Sequence, residues 1–174
     1  MLLAAGASTR MGQPKALLPG RTGWPLLREW LQVSRDAGIP RPWVVLGAHR
    51  DLLLPHLPEW ARSFDNRDWA NGGATDSLRA IWPELSGRVL FTPVDVPPCT
   101  PQALIDLAQP LGESALSHAG SLGHPAALDH RMPFPAQRSL HEVMLGATPI
   151  PAGPDCLLNL NTPQDYRDWL TRAG

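Results

Sequence analysis

Residues 3–15 read Leu-Ala-Ala-Gly-Ala-Ser-Thr-Arg-Met-Gly-Gln-Pro-Lys, and they combine the residue types that hold a polyphosphate. Gly6, Ala7 and Ser8 are small, so the backbone can approach a ligand closely and present its N–H groups. Arg10 adds a planar cationic fork and Lys15 a point charge, both matched to phosphate oxygens. The apolar run Leu2-Leu3-Ala4 in front of them reads as the end of a strand. Two commoner phosphate loops are excluded. Gly12 is followed by Gln13 and Pro14 rather than Lys-Ser or Lys-Thr, and Ser8 stands where the dinucleotide fingerprint needs its second glycine. Pro14 disfavours helix at Gln13, so Lys15 is placed by a turn and not by a helix running out of the loop.

A second chemical position is Asp95, in Pro93-Val-Asp95-Val-Pro97-Pro98 after the clearest central strand, Arg88–Thr92. Open α/β sheets place ligands at the carboxyl ends of their strands, and a carboxylate there suits Mg²⁺ bridging phosphate oxygens. Taken alone, an Asp before proline is an ordinary turn residue. Further along, Asn66 to Leu78 carries Gly72 and Gly73 ahead of a helix with Ser77 in its first turns. Backbone donors at such a start can meet a base or a phosphate, or simply cap the helix. Gly123-His124-Pro125 offers a histidine in a turn. Asn159-Leu160-Asn161-Thr162-Pro163 offers amides that hydrogen-bond a substrate and bind metal weakly, and it also caps a last helix. The six histidines show no zinc-type spacing.

These motifs together resemble the nucleotidyltransferases with the L-A-(A/G)-G-x-S-x-R-M-G…K signature. Within them they resemble the molybdenum cofactor cytidylyl- and guanylyltransferases, over roughly residues 2 to 170. The resemblance implies a nucleotide site made by Leu3, Ala4, Ala5, Gly6, Arg10, Lys15, Asn66, Gly73 and Ser77. It implies catalytic roles for Arg10, Lys15 and Asp95, with Asp95 also holding the metal, and acceptor contacts from His124, Asn159 and Asn161. Either Gly72 or Gly73 stands at the motif's glycine. The features are mixed: Ala5, the Asn66–Leu78 segment and Gly-His-Pro are cytidylyl-like, whereas Asn159 and Asn161 are guanylyl-like. The Gly-Asp element of relatives is not recognisable between Arg131 and Gly146. The first strand is short beside theirs, so the chain either starts upstream of Met1 or carries a short strand.

The elements that must position these residues alternate between strand and helix, which predicts a three-layer α/β sandwich around a mainly parallel, Rossmann-like sheet. The resemblance implies that this sheet is of the nucleotide-diphospho-sugar transferase type. Strands are predicted at 2–4, 43–46, 62–64, 88–92, 114–118, 125–128 and 155–160. Helices are predicted at 24–37, 51–60, 74–85, 101–108, 139–145 and 162–170. Thr100 and Thr162 stand at helix N-caps and Gly38 at a C-terminal stop. At 174 residues, one domain over 1–174 is expected. Net charge of −1 gives no nucleic-acid or membrane surface, and no apolar window reaches the length of a membrane span. No signal peptide is recognisable, and Cys99 and Cys156 form no C-x-x-C pair, so a cytoplasmic protein with reduced thiols is expected.

The expected reaction is transfer of a nucleoside monophosphate from an NTP, CTP ahead of GTP, to the phosphate of molybdopterin cofactor with Mg²⁺. A molybdoenzyme or chaperone is the expected protein partner. Two alternatives stand beside it: a nucleotidyltransferase for another small phosphate such as a sugar phosphate, and a non-catalytic nucleotide-binding maturation factor.

Overall fold

Successive strand residues point to opposite faces of a sheet, and the first two strands build a core on each side. Leu2 and Ala4 of β1 (Leu2–Ala4) and Val44 and Leu46 of β2 (Trp43–Leu46) pack with Leu27, Trp30 and Leu31 of α1 (Leu26–Asp36) and Leu104 of α4 (Pro101–Ala108). Leu3, Ala5 and Val45 face the other way, onto Leu78 and Ile81 of α3 (Ala74–Ile81) and Leu140 and Met144 of α5 (Leu140–Met144). The sheet is therefore the middle of three layers. The computed structural model describes residues 1–110, 112–131, 134 and 139–172.

The sheet also contains β3 (Arg62–Asp65), β4 (Arg88–Pro93), β5 (Ser114–His118), β6 (Ser121–Asp129) and β7 (Thr148–Pro151), in the order β3-β2-β1-β4-β6-β5-β7. β1 runs parallel to β2 and β4, β2 to β3, and β5 to β7; β6 is antiparallel to both its neighbours. From β1 the chain goes to β2 on one side and later returns to β4 on the other. The strand order thus reverses between β1 and β4, where crossover helices leave a crevice at the carboxyl ends. The phosphate-type loop follows β1 and Asp95 follows β4, so the topology brings these two segments side by side.

Two short elements complete the chain: α2 (Arg50–Leu53) and α6 (Pro163–Thr171). Thr162 caps α6 by accepting from the Asp165 N–H at 3.2 Å, as its position predicts. Trp169 of α6 packs with Met11, Leu18, Leu26 and Leu160, which ties the last helix to the segment after β1.

The structure corrects some sequence expectations. No strand forms over 155–160. A 3-10 turn at Pro154–Leu157 occupies its start, and the edge strand is β7, upstream. Pro149 and Pro151 hide β7 from a propensity reading, but proline is tolerated on an edge strand, where the missing donor faces outward. The helix expected over 74–85 ends at Ile81 and tightens to a 3-10 turn at Trp82–Glu84, because Pro83 cannot continue it. The helix expected over 51–60 becomes α2 plus a 3-10 turn at Leu54–His56, broken by Pro55. Among the described residues, no helix is long and apolar enough to cross a membrane.

The turn after β4 is held by two hydrogen bonds from distant parts of the chain. The buried Trp30 indole donates to the Val96 carbonyl at 2.8 Å, and the Leu160 N–H donates to the Asp95 carbonyl at 2.7 Å. Replacing Trp30 by Phe keeps the ring packing and strips the Val96 carbonyl of its donor. The variant is expected to lose about 1–3 kcal/mol of unfolding free energy in a denaturant titration.

Candidate active site

The loop between β1 and Lys15 is shaped by Ser8, a non-glycine residue in the left-handed region at φ 52°. That conformation carries a steric penalty of roughly 1–2 kcal/mol, and local bonds offset it. The Ser8 carbonyl accepts from the Met11 N–H at 3.0 Å, and the Ser8 hydroxyl accepts from the Lys15 N–H at 3.2 Å. Gly12, at φ 75°, makes the second reversal, in the region that glycine enters freely. The chain then enters a 3-10 turn at Lys15–Leu17 behind Pro14. Lys15 therefore starts a short turn, as Pro14 predicts.

Lys15 and Asp95 form an ion pair. The Lys15 Nζ lies 2.8 Å from Asp95 Oδ2 and 2.8 Å from the Asn161 Oδ1, and Arg10 Nη2 donates to the same Asn161 oxygen at 3.1 Å. The Lys15 and Asp95 side chains are only 11% and 21% exposed, so the pair sits in a shielded environment where each charge depends on the other. Asn161 is oriented in turn by Asp165, whose carboxylate accepts the Asn161 N–H at 3.1 Å and the Thr162 N–H at 2.8 Å. Hydrogen bonds from Thr162 above all hold the Asp165 carboxyl below the usual carboxylate range.

Two clefts lie near the turn after β4, one bordered by Asp95 and the other by Val96. One, of about 200 Å³, is bordered by Leu3, Ala5, Gly6, Lys15, Gly73, Ser77 and Asp95, all singled out from sequence. Ser8 and Trp69 border it as well. The other, of about 560 Å³, contains Val96, His124 and Asn159 among aliphatic side chains including Leu140, Met144, Leu145 and Leu157. No Asp, Glu, Lys or Arg lines it among the described residues.

Some expected residues lie elsewhere. Ala4 faces the core against α1, because strand alternation turns it away from the cleft that Leu3 and Ala5 border. Asn66 is buried and braces the loop: its amide donates to the Ser77 hydroxyl at 3.1 Å, and its carbonyl accepts from the Asp68 N–H at 3.1 Å. The Gly73 N–H is already used, donating to Asp76 Oδ2 at 2.9 Å. Gly72 is the more constrained of the pair, since a Cβ there would lie 2.6 Å from the Asp76 Cβ. Arg10 is exposed and reaches the site through Asn161. Asn161 itself sits with the cations and not in the larger cleft, which holds His124 and Asn159.

Gly123 has a packing reason: a Cβ would lie 2.0 Å from the Cys156 carbonyl oxygen. Close contact of β6 with the 154–157 turn brings His124 to the cleft. Its Nδ1 is buried without a hydrogen-bond partner, and burial lowers its pKa below 6.5, with nearby Asp95 opposing. A neutral, unpartnered imidazole nitrogen beside a cleft is free to bind a ligand group.

Sequence reasoning missed Trp69, which borders the smaller cleft, and His49, whose Nε2 lies 2.8 Å from the Ala7 carbonyl oxygen of the loop. Trp69 stands in a 3-10 turn inside the Asn66–Leu78 motif, and its Cβ would lie 2.8 Å from a Cβ on Gly47. His49 follows β2, and the rule that ligands gather at parallel strand ends is the signal that points to it.

A three-layer α/β fold with its candidate site at the strand-order reversal defines a protein of the nucleotide-diphospho-sugar transferase type. The chain belongs to the MobA-like NTP transferase domain family, which matches residues 1–147, and the class of reaction is nucleotidyl transfer. Among curated proteins, none matches the sequence. Solved structures share the fold. The Rv0371c protein of Mycobacterium tuberculosis is 21% identical with a TM-score of 0.81, covering 98% of this chain and 96% of its own. A manganese complex of the same protein superposes with a TM-score of 0.72, at 22% identity and over 99% and 97% of the two chains. A nucleotidyl transferase from Methanothermobacter is 24% identical with a TM-score of 0.77, over 99% and 97% of the two chains. The CTP:phosphocholine cytidylyltransferase of Streptococcus pneumoniae is 14% identical with a TM-score of 0.71, over 97% and 96%.

His124 makes stability pH-dependent. The unfolded imidazole takes up a proton near pH 6.5 and the buried one only at lower pH, so the unfolded state binds more protons in between. Stability therefore falls as pH drops below about 6.5. Denaturation of wild type and His124→Asn between pH 7.5 and 5.5 is expected to show the smaller pH slope in the variant.

Proposed function

We propose that this protein transfers a nucleoside monophosphate from an NTP to the phosphate of molybdopterin cofactor and releases pyrophosphate. The observation that carries the reading is the Lys15–Asp95 pair at 2.8 Å on the border of the smaller cleft, one residue from Val96 of the larger. The smaller cleft, beside the phosphate loop, is assigned to the nucleotide, and the cytidylyl-like Ala5 and the Trp69, Gly72, Gly73 and Ser77 of the Asn66–Leu78 segment that border it favour CTP over GTP. The larger is assigned to the acceptor. Its lining combines aliphatic side chains, among them Leu140, Met144 and Leu157, with Ser121, His124, His141 and Asn159, so it offers an apolar face and hydrogen-bonding partners to a flat heterocycle with polar edges.

Mg²⁺ fits the residues present. Asp95 Oδ2 is taken by Lys15, while Oδ1 accepts no hydrogen bond among the described residues. Among the described residues, no three His, Cys, Asp or Glu side chains form a closed metal site. One carboxylate oxygen is the donor expected for an ion that takes its other ligands from water and substrate phosphates. The manganese complex of the mycobacterial relative is consistent with divalent metal use. Asp95 would hold the ion, which would supply positive charge to offset that of the triphosphate.

The chain's own residues do the rest by position and charge. The acceptor phosphate is already an anion, so its oxygen attacks the α-phosphorus without a protein base. The bond from the α-phosphorus to the bridging oxygen breaks, and pyrophosphate leaves with that electron pair. Lys15 and Arg10, held on one Asn161 oxygen, present positive charge to the α-phosphate and the leaving group. The free N–H groups of the loop hold the triphosphate, and His124 Nδ1 and Asn159 orient the acceptor.

Pyrophosphate release is expected with Mg²⁺, one nucleotide and molybdopterin cofactor together. Lys15→Ala and Asp95→Ala are each expected to lower turnover at least 10²–10³-fold while circular dichroism reports a folded protein. Release with sugar 1-phosphates and none with the pterin selects the other acceptor class. Nucleotide binding without release on any acceptor selects a non-catalytic role.

A further inference from the structure

We infer that His49, which lies outside every motif above, is a positioning residue for nucleotide binding. Its imidazole sets the peptide plane from which the Ser8 N–H faces the triphosphate. The inference rests on assigning the smaller cleft to the nucleotide.

The His49 Nε2 lies 2.8 Å from the Ala7 carbonyl oxygen. A carbonyl only accepts, so Nε2 carries the proton and donates it. The peptide unit is planar and trans, so its C=O and N–H point in opposite directions. Drawing the Ala7 carbonyl toward His49 therefore turns the Ser8 N–H the other way. Ser8 borders the smaller cleft, and its N–H donates to no acceptor among the described residues.

The other atoms of Ser8 are already anchored. Its carbonyl takes the Met11 N–H and its hydroxyl takes the Lys15 N–H. The Ala7–Ser8 peptide is left as the loop's free plane, and it precedes a residue held in a strained conformation. His49 is the group that closes this last degree of freedom.

The segment carrying His49 is docked for that task. Its chain leaves β2, whose Leu46 pairs with Ala4 of β1, so the two loops leave neighbouring strand ends together. The Ala48 N–H donates to the Ala5 carbonyl at 3.0 Å. Gly47 permits the approach, since a Cβ there would lie 2.5 Å from the same Ala5 oxygen. Two bonds two residues apart, Ala48 to Ala5 and His49 to Ala7, thus lay one loop along the other.

The test compares wild type, His49→Phe, which keeps a ring and loses the donor, and His49→Gln, whose amide places an N–H where Nε2 stood. CTP and GTP with Mg²⁺ are titrated into each by calorimetry. KM and kcat for pyrophosphate release and the melting temperature without nucleotide are measured in parallel. The Phe variant is expected to bind nucleotide about tenfold more weakly and to raise the nucleotide KM similarly, as for one lost hydrogen bond. The acceptor KM and the nucleotide-free melting temperature stay near wild type, and the Gln variant recovers most of the affinity. A Phe variant that binds like wild type overturns the role. So does a Gln variant as weak as Phe, which instead places the imidazole charge directly on the phosphates. A lowered melting temperature with unchanged affinity overturns it too, as a purely structural effect. A wild type that binds neither nucleotide overturns the underlying assignment of the cleft.

Discussion

The ion pair between Lys15 and Asp95 is the interaction on which the rest of the site depends. Both side chains are mostly withdrawn from water, where an isolated charge is far costlier than a paired one. Each therefore has to be delivered accurately, and neighbouring bonds do this. Ser8 holds the Lys15 backbone N–H, Asn161 takes a second bond from the ammonium, and Leu160 holds the Asp95 carbonyl. Three separate parts of the chain thus converge on one pair. Parallel strand ends make this convergence possible, because β1 and β4 lie side by side where the strand order reverses.

The same pair has a chemical consequence. Lys15 bonds one oxygen of Asp95 and leaves the other open, so the carboxylate holds a cation without being used up by it. Asn161 contributes because it is neutral. One carbonyl oxygen can accept from Lys15 and Arg10 together, whereas a carboxylate there would have paired with them as a second anion. A residue that reads from sequence as a weakened metal ligand becomes the bridge that holds two cations together.

The small-residue loop, the alternation that builds two cores and the helix caps at Thr100 and Thr162 were legible because each is local. They depend on residue type, on periods of two or 3.6, or on a neighbour three positions away. Where the chain broke such a rule, local reading failed. β7 contains two prolines and does not read as a strand, and residues 155–160, which read as one, begin instead inside a 3-10 turn over Pro154–Leu157. Asn66 illustrates the limit at the site. Its motif pointed to nucleotide contact, but burial and two internal hydrogen bonds make it a brace for Ser77 and Asp68.

The sequence by itself determined the chemistry on offer: cations beside a small-residue loop, a carboxylate after a central strand, and a histidine in Gly-His-Pro. Only the tertiary structure decided which groups meet. Lys15 finds Asp95 across 80 positions and Asn161 across 146, His49 reaches back 42 positions to Ala7, and Ala4 turns away from the cleft its neighbours line. Such contacts follow from strand order and from which face each residue presents. Those are settled by burying two apolar faces at once, a constraint on the whole chain that no single segment carries.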